Sequence, residues 1–206
     1  MTSHNSTMNK FLFVFCLSFI VATLGVGVGQ FIPPTLILPL AIVELILIIV
    51  IIFVRSKGLS YSILYLFMFI SGITLYTTIS HYASKIGATN VFYAFIITAI
   101  VYGVIALYGY FTKFNFGFLG NVLFFGLLVL IIILLVNLFI PISGGLYLGL
   151  IIFGLILFAA YTLYDFNRIA RNGIEEDEIP IEVINVYLDF INLYRYMLKL
   201  IDFFED

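Results

Sequence analysis

The chain has 206 residues, of which 64% are hydrophobic and only 10% charged, with a mean hydropathy of +1.23. A soluble domain runs at about 45–50% apolar and about 25% charged, so this composition excludes a water-soluble enzyme, a disordered chain and a nucleic-acid binder. Nine Lys and Arg against eleven Asp and Glu leave a formal net charge of -2, and no global field selects an anionic partner. What remains is an integral membrane protein whose first partner is lipid.

A helix needs about 20 apolar residues to cross the hydrocarbon core. Uncharged runs bounded by charges, Pro or Gly predict seven spans, near Phe11 to Val28, Pro33 to Val54, Ser60 to Ser80, Val91 to Phe111, Phe116 to Phe139, Gly144 to Tyr164 and Pro180 to Ile201. The first contains Gly25 and Gly29 at small-xxx-small spacing, which predicts close helix packing rather than a nucleotide fingerprint. The same span holds the single Cys16, expected as a small buried hydrophobe. From Phe114 to Tyr164 no charge occurs, and Pro141-Ile-Ser-Gly-Gly145 breaks that run into a helical hairpin. Continuous Leu, Ile and Phe runs do not alternate as barrel strands do. The expected fold is an all-α, seven-transmembrane-helix bundle forming one domain over residues 1–206.

The positive-inside rule sets the orientation. Inner segments would carry Lys10, Arg55, Lys57, Lys113, Arg168 and Arg171, and outer loops only Lys85, with Arg195 and Lys199 near the outer end of the last span. The N-terminus is therefore expected in the cytoplasm and the C-terminus outside.

Charges inside a membrane cost at least about 2.5 kcal/mol each on insertion scales, so each needs a reason. Glu44 sits in the middle of the second span, Asp165 closes the sixth, and Asp189 and Lys199 lie in the seventh. On the last helix Glu182, Asn185, Asp189, Asn192, Tyr196 and Lys199 follow one line. Such a stripe must face the interior or a water-filled path, which makes the C-terminal helix the expected centre of the bundle. Glu44 and Lys199 suggest an ion pair, and Arg55 stands at the same level as Asp165, where it could hold that carboxylate or simply anchor the span. Glu175-Glu-Asp-Glu178, just before Pro180, suits a helix N-terminus.

Two carboxylates brought together at low dielectric share one proton, and when both ionise they form a hard oxygen site suited to Ca²⁺. Asp165 and Asp189 are the candidates for that dyad and for a Ca²⁺ site. With these span boundaries their depths differ by about 10 Å at 1.5 Å rise per residue, and entry of the last helix near Ile184 would bring them level. No zinc-type spacing and no Ser-His or Cys-His pair occurs.

At these same residues the chain resembles a known family. Leu163-Tyr-Asp-Phe-Asn-Arg-Ile169 and Val186-Tyr-Leu-Asp-Phe-Ile-Asn-Leu193 are similar to the closing signature of the Bax inhibitor (TMBIM) membrane proteins. Ser71-Gly-Ile-Thr-Leu75, Ile79-Ser-His-Tyr-Ala-Ser84, Gly29-Gln-Phe-Ile-Pro33 and Leu38-Pro-Leu-Ala-Ile-Val-Glu44 look most like its bacterial calcium leak branch. The resemblance implies seven helices with the last one central and a pH-sensitive calcium leak gated by a di-aspartyl sensor. Carried over by residue, Asp165 and Asp189 match the sensor, Arg55 the arginine on the first aspartate, and Glu44 with Lys199 an intramembrane ion pair that elsewhere has arginine in place of lysine. Lysine cannot make the bidentate contact.

The expected function is thus a non-enzymatic, pH-sensitive calcium leak of a bacterial plasma membrane, with Ca²⁺ as the transported ion, protons as its regulator and no cofactor. One alternative is an intramembrane aspartyl protease, which would place Gly-x-Gly-Asp where this chain has Val186-Tyr-Leu-Asp189. Another is a non-conducting scaffold that regulates stress signalling through protein partners.

Overall fold

The structure, a computed structural model, describes residues 2–54 and 59–205. Seven helices follow one another: α1 (Thr2–Gly29), α2 (Pro34–Val54), α3 (Tyr61–Ile86), α4 (Ala88–Phe111), α5 (Leu119–Phe139), α6 (Gly144–Asn172) and α7 (Ile179–Glu205). No strand occurs among the described residues. Six of them, α1 to α6, are long and apolar enough to cross a membrane. The seventh has 27 residues, enough length, but carries the polar stripe.

Several helices outrun the hydropathy boundaries. At 29 residues α6 is about 43 Å long at 1.5 Å per residue, against a hydrocarbon core of about 30 Å. It ends only at Gly173, whose φ of 76° is the left-handed conformation that stops a helix. The break at Pro141 to Gly145 falls between α5 and α6 as expected. There the Asn137 Oδ1 accepts the Ile142 N–H at 2.7 Å, closing the connection. Pro180 takes the second position of α7, where its missing N–H costs nothing.

The outer surfaces are inverted relative to a soluble protein. Leu38, Ile42, Leu45 and Ile46 of α2 are exposed, as are Val122, Phe125, Ile132 and Leu135 of α5. Apolar surface on this scale marks a lipid-facing exterior. By contrast, α7 buries residues all round its axis, from Ile179, Val183 and Tyr187 to Phe190, Leu193 and Leu198. A helix buried on every side is packed against protein rather than lipid along its length.

The chain packs as two compact units, residues 1–81 with 173–187, and residues 82–172 with 188–206. In the first unit, α1 buries Phe11, Val14, Ser18 and Ala22 along one helical stripe. Further along it, a Cβ on Gly25 would collide with the Phe69 carbonyl, and one on Gly29 would lie 2.6 Å from the Tyr76 Cβ. The glycine spacing in α1 therefore serves a close crossing with α3, where Gly72 packs on the Ala22 carbonyl. Beside it, the buried Tyr187 ring meets Phe19 and Phe67 edge-on at 5.5 and 6.3 Å. Its hydroxyl donates to Ser71 Oγ at 3.3 Å. Cys16 corrects its expectation: it is exposed, because it lies off the stripe formed by Phe11, Val14 and Ser18. An apolar surround is available to a thiol from lipid as well as from protein.

In the second unit, α4 turns Val91, Ala94, Thr98, Tyr102, Ala106 and Gly109 inward at helical spacing. Tyr102 stacks edge-on with Phe166 and Phe190 at 6.0 and 5.3 Å. Gly109 lies against the Leu163 carbonyl, which a Cβ would approach to 2.7 Å.

Candidate functional site

The inward stripe of α6 runs through Ile151, Gly154, Phe158, Thr162, Asp165 and Ile169. Asp165 is therefore a core position of an apolar helix, occupied by a carboxylate. It is 6% exposed, and Asp189 on α7 is 5% exposed. The two carboxyl groups are near enough to interact electrostatically, and Asp189 Oδ2 is buried without a hydrogen-bond partner among the described residues. Two carboxyl groups so buried and so near cannot both ionise easily, which favours one proton held between them.

The helix ends explain how these groups meet. Asp165 lies seven residues before the end of α6, and Asp189 ten residues after the start of α7. At 1.5 Å per residue, those offsets from the α6–α7 connection are about 10 and about 15 Å, within side-chain reach of each other. The 10 Å mismatch expected from hydropathy arose from ending the sixth helix at Tyr164.

One turn beyond Asp165, Arg168 Nη2 pairs with its Oδ1 at 3.2 Å. Arg168 also lies over the Tyr164 ring, 5.8 Å from the centroid. Arg55 lies outside the described residues. Among the described residues, Arg168 places its guanidinium on Asp165, a role that counting charges for orientation did not give it. The Tyr102 and Tyr161 phenols are close enough to both carboxyl groups to feel their charge. Tyr161 stands four residues before Asp165, on the same face of α6, and that spacing is a readable signal. Tyr102 comes from α4, and nothing local in the sequence points to it.

The rest of the polar stripe is buried or half-buried along α7. Glu182 lies in the first unit at 5% exposure, with Asn185 half-buried beside it. Asn192 and Lys199 are half-buried in the second unit, and the buried Tyr196 hydroxyl has no hydrogen-bond partner among the described residues. Tyr196 also packs against Gly154 and stacks on Phe158 at 5.9 Å. Glu44 belongs to the first unit, where Thr74 Oγ1 donates to its Oε2 at 2.6 Å. Lys199 belongs to the second, with its Nζ 4.6 Å from the Tyr196 ring centroid.

Two further clusters escaped the sequence reading. Asn167, 2% exposed, accepts the Phe116 N–H at 3.0 Å and donates to the Gly109 and Phe114 carbonyls at 3.1 Å each. It ties the α4–α5 connection to α6. Toward the other end of α6 in the second unit, Lys85 pairs with Asp202 at 2.8 Å. No group of three metal-ligating side chains occurs among the described residues. The two carboxyl groups offer oxygen ligands only, a set that suits a hard cation better than a transition metal.

The family model described as inhibitor of apoptosis-promoting Bax1 matches residues 4–206. A protein of Helicobacter pylori is 33% identical over 158 residues, 75% of this chain and 66% of its own length. The inner membrane protein YbhL of Escherichia coli is 30% identical, over 70% of this chain and 64% of its own. Bax inhibitor 1 of Schizosaccharomyces pombe is 29% identical, over 71% and 53%. The chain thus spans slightly less than two thirds of the length of the first two relatives and about half that of the yeast protein. With its helices, lipid-facing surface and whole-length family match taken together, the chain is a membrane protein of the Bax inhibitor family.

Proposed function

We propose that this protein is a pH-sensitive calcium leak in a bacterial plasma membrane, with Asp165 and Asp189 as sensor and gate. The observation that carries this reading is the pair of nearly buried carboxyl groups that α6 and α7 bring together, with Arg168 on one of them. A single shared proton holds α6 and α7 together at this level. When it leaves, the two carboxylates repel; for unit charges in side-chain contact that repulsion is about 4 kcal/mol at a protein's effective dielectric. That is comparable with the few kcal/mol separating the conformers of a typical switch. The ionised pair then presents hard oxygen ligands to Ca²⁺ on a path beside the polar face of α7. In this reading Ca²⁺ is cargo and no cofactor takes part. The N-terminus faces the cytoplasm and the C-terminus the outside, in keeping with the distribution of Lys and Arg.

Calcium entry into dye-loaded proteoliposomes across a pH series tests this directly. The parent chain is expected to give flux that varies with pH, and Asp165→Asn and Asp189→Asn are each expected to flatten that dependence. A correctly folded parent giving no flux above empty vesicles at any pH would overturn the leak.

A further inference from the structure

A cavity of about 260 Å³ opens at the end of α6, lined by Asn115, Gly117, Tyr164, Asn167, Arg168, Arg171 and Asn172. Its wall holds two guanidinium groups and three amides but no carboxylate. That is the donor set for an oxyanion: planar forks that match phosphate geometry, supported by neutral hydrogen-bond donors. Rigidity comes from Asn167, which fixes the α4–α5 connection by three hydrogen bonds. Arg171 adds a bond from Nη2 to the Lys113 carbonyl. The same connection carries an aromatic patch beside the cavity. Phe114 and Phe118 are 58% and 62% exposed, and the Phe114 ring lies 4.8 Å from Phe116 and 6.4 Å from Phe118. Exposed rings next to a cationic hollow at a helix end suit the boundary between acyl chains and headgroups, where basic pockets take anionic lipid.

We propose that this cavity binds the phosphate of an anionic phospholipid headgroup, and that the bound phosphate competes with Asp165 for Arg168. The second half rests on the role proposed above for Asp165; the first does not. A phosphate that draws Arg168 away removes a positive charge from the dyad, so lipid composition would shift the pH at which flux changes.

The test is native mass spectrometry of the full, delipidated chain titrated with phosphatidylglycerol or phosphatidylcholine. Phosphatidylglycerol should be retained more tightly, with Arg171→Gln costing about fivefold, the size expected for one cationic side chain near a membrane surface. Arg171→Lys should restore most of it. Asn172→Asp, at an exposed position, should weaken retention while leaving the fold intact. Equal retention of the two lipids, or retention indifferent to both Arg171→Gln and Asn172→Asp, would overturn the proposal. Titration with inorganic phosphate separates the sources: displacement of the lipid supports the shared site, whereas phosphate binding without lipid binding overturns the lipid as occupant. Flux in vesicles with and without phosphatidylglycerol then reads the coupling. A parent without flux anywhere refutes the leak, while the binding arm still decides the cavity.

Discussion

The two units use buried space in opposite ways. In the residues 1–81 and 173–187, α1 and α3 come so close that Gly25, Gly29 and Gly72 leave no room for a side chain, and the core is completed by aromatic contacts of Tyr187. In the residues 82–172 and 188–206, the interior instead holds Asp165, Asp189 and Asp202, with Arg168 and Lys85 as ion-pair partners. Steric fit in the first unit has one satisfactory arrangement, whereas a charge-bearing interior has as many states as it has proton counts. A switch is therefore to be sought in the second unit and stability against substitution in the first.

The sharpest way to break this contrast is at the glycine crossing. Gly72→Val pushes a branched side chain into the Ala22 carbonyl, and α1 and α3 must separate. The expected cost is about 3 kcal/mol, the upper range of overpacking, read as a lower melting temperature and loss of a monodisperse peak in detergent. Gly27, on α1 between Gly25 and Gly29, has open space around it, so Gly27→Ala should leave the melt unchanged or raise it slightly through helix propensity. If both substitutions behave alike, the seam is not what holds the first unit.

Next in size is Asn167→Ala, which removes three hydrogen bonds from a side chain at 2% exposure. Stranding the Phe116 N–H and two carbonyls should cost about 2 kcal/mol. Hydrogen exchange should report faster opening confined to the α4–α5 connection. A smaller loss, about 1 kcal/mol, is expected from Lys85→Met, since Lys85 is 38% exposed while the Asp202 it leaves behind is nearly buried. The double variant Lys85→Met/Asp202→Leu should recover most of that loss; a double variant no better than the single one would mean the pair is a bystander.

Much of this is legible in the amino-acid sequence. Apolar runs located the helices, Pro141 to Gly145 located the hairpin break, and the spacing of Gly25 and Gly29 pointed to a close crossing. Asp165 and Asp189 stood out because charge is expensive among apolar residues. What hydropathy could not see was where helix continues beyond lipid: α6 runs on to Asn172, and that extension brings the dyad level. The signal was present in Gly173, a helix stop, but an apolar run reads membrane thickness rather than helix length. Partners far apart in the chain were also hidden. Nothing near Gly72 names Ala22, nothing near Asp202 names Lys85, and Tyr102 reaches the dyad only because α4 packs beside α6 and α7. Cys16 went wrong for a related reason, since in lipid an apolar position need not be an inward one.

The smallest effect expected lies at the surface of the first unit, where Lys10 pairs with Glu176 in the α6–α7 connection. The Lys10 hydrogen bond and charge hold the Glu176 carboxyl below its ordinary range. A carboxyl whose folded pKa is depressed binds fewer protons folded than unfolded, so its contribution is present above the ordinary carboxylate pKa and is lost as pH falls through the depressed value. Both side chains are largely in solvent, where such pairs add little and salt screens them. Glu176→Gln should therefore lower the melting temperature slightly at neutral pH and low salt, and not at all in acid or high salt. A difference that persists in acid would show that Glu176 acts through packing rather than charge, and would bring the first unit closer to the second in kind.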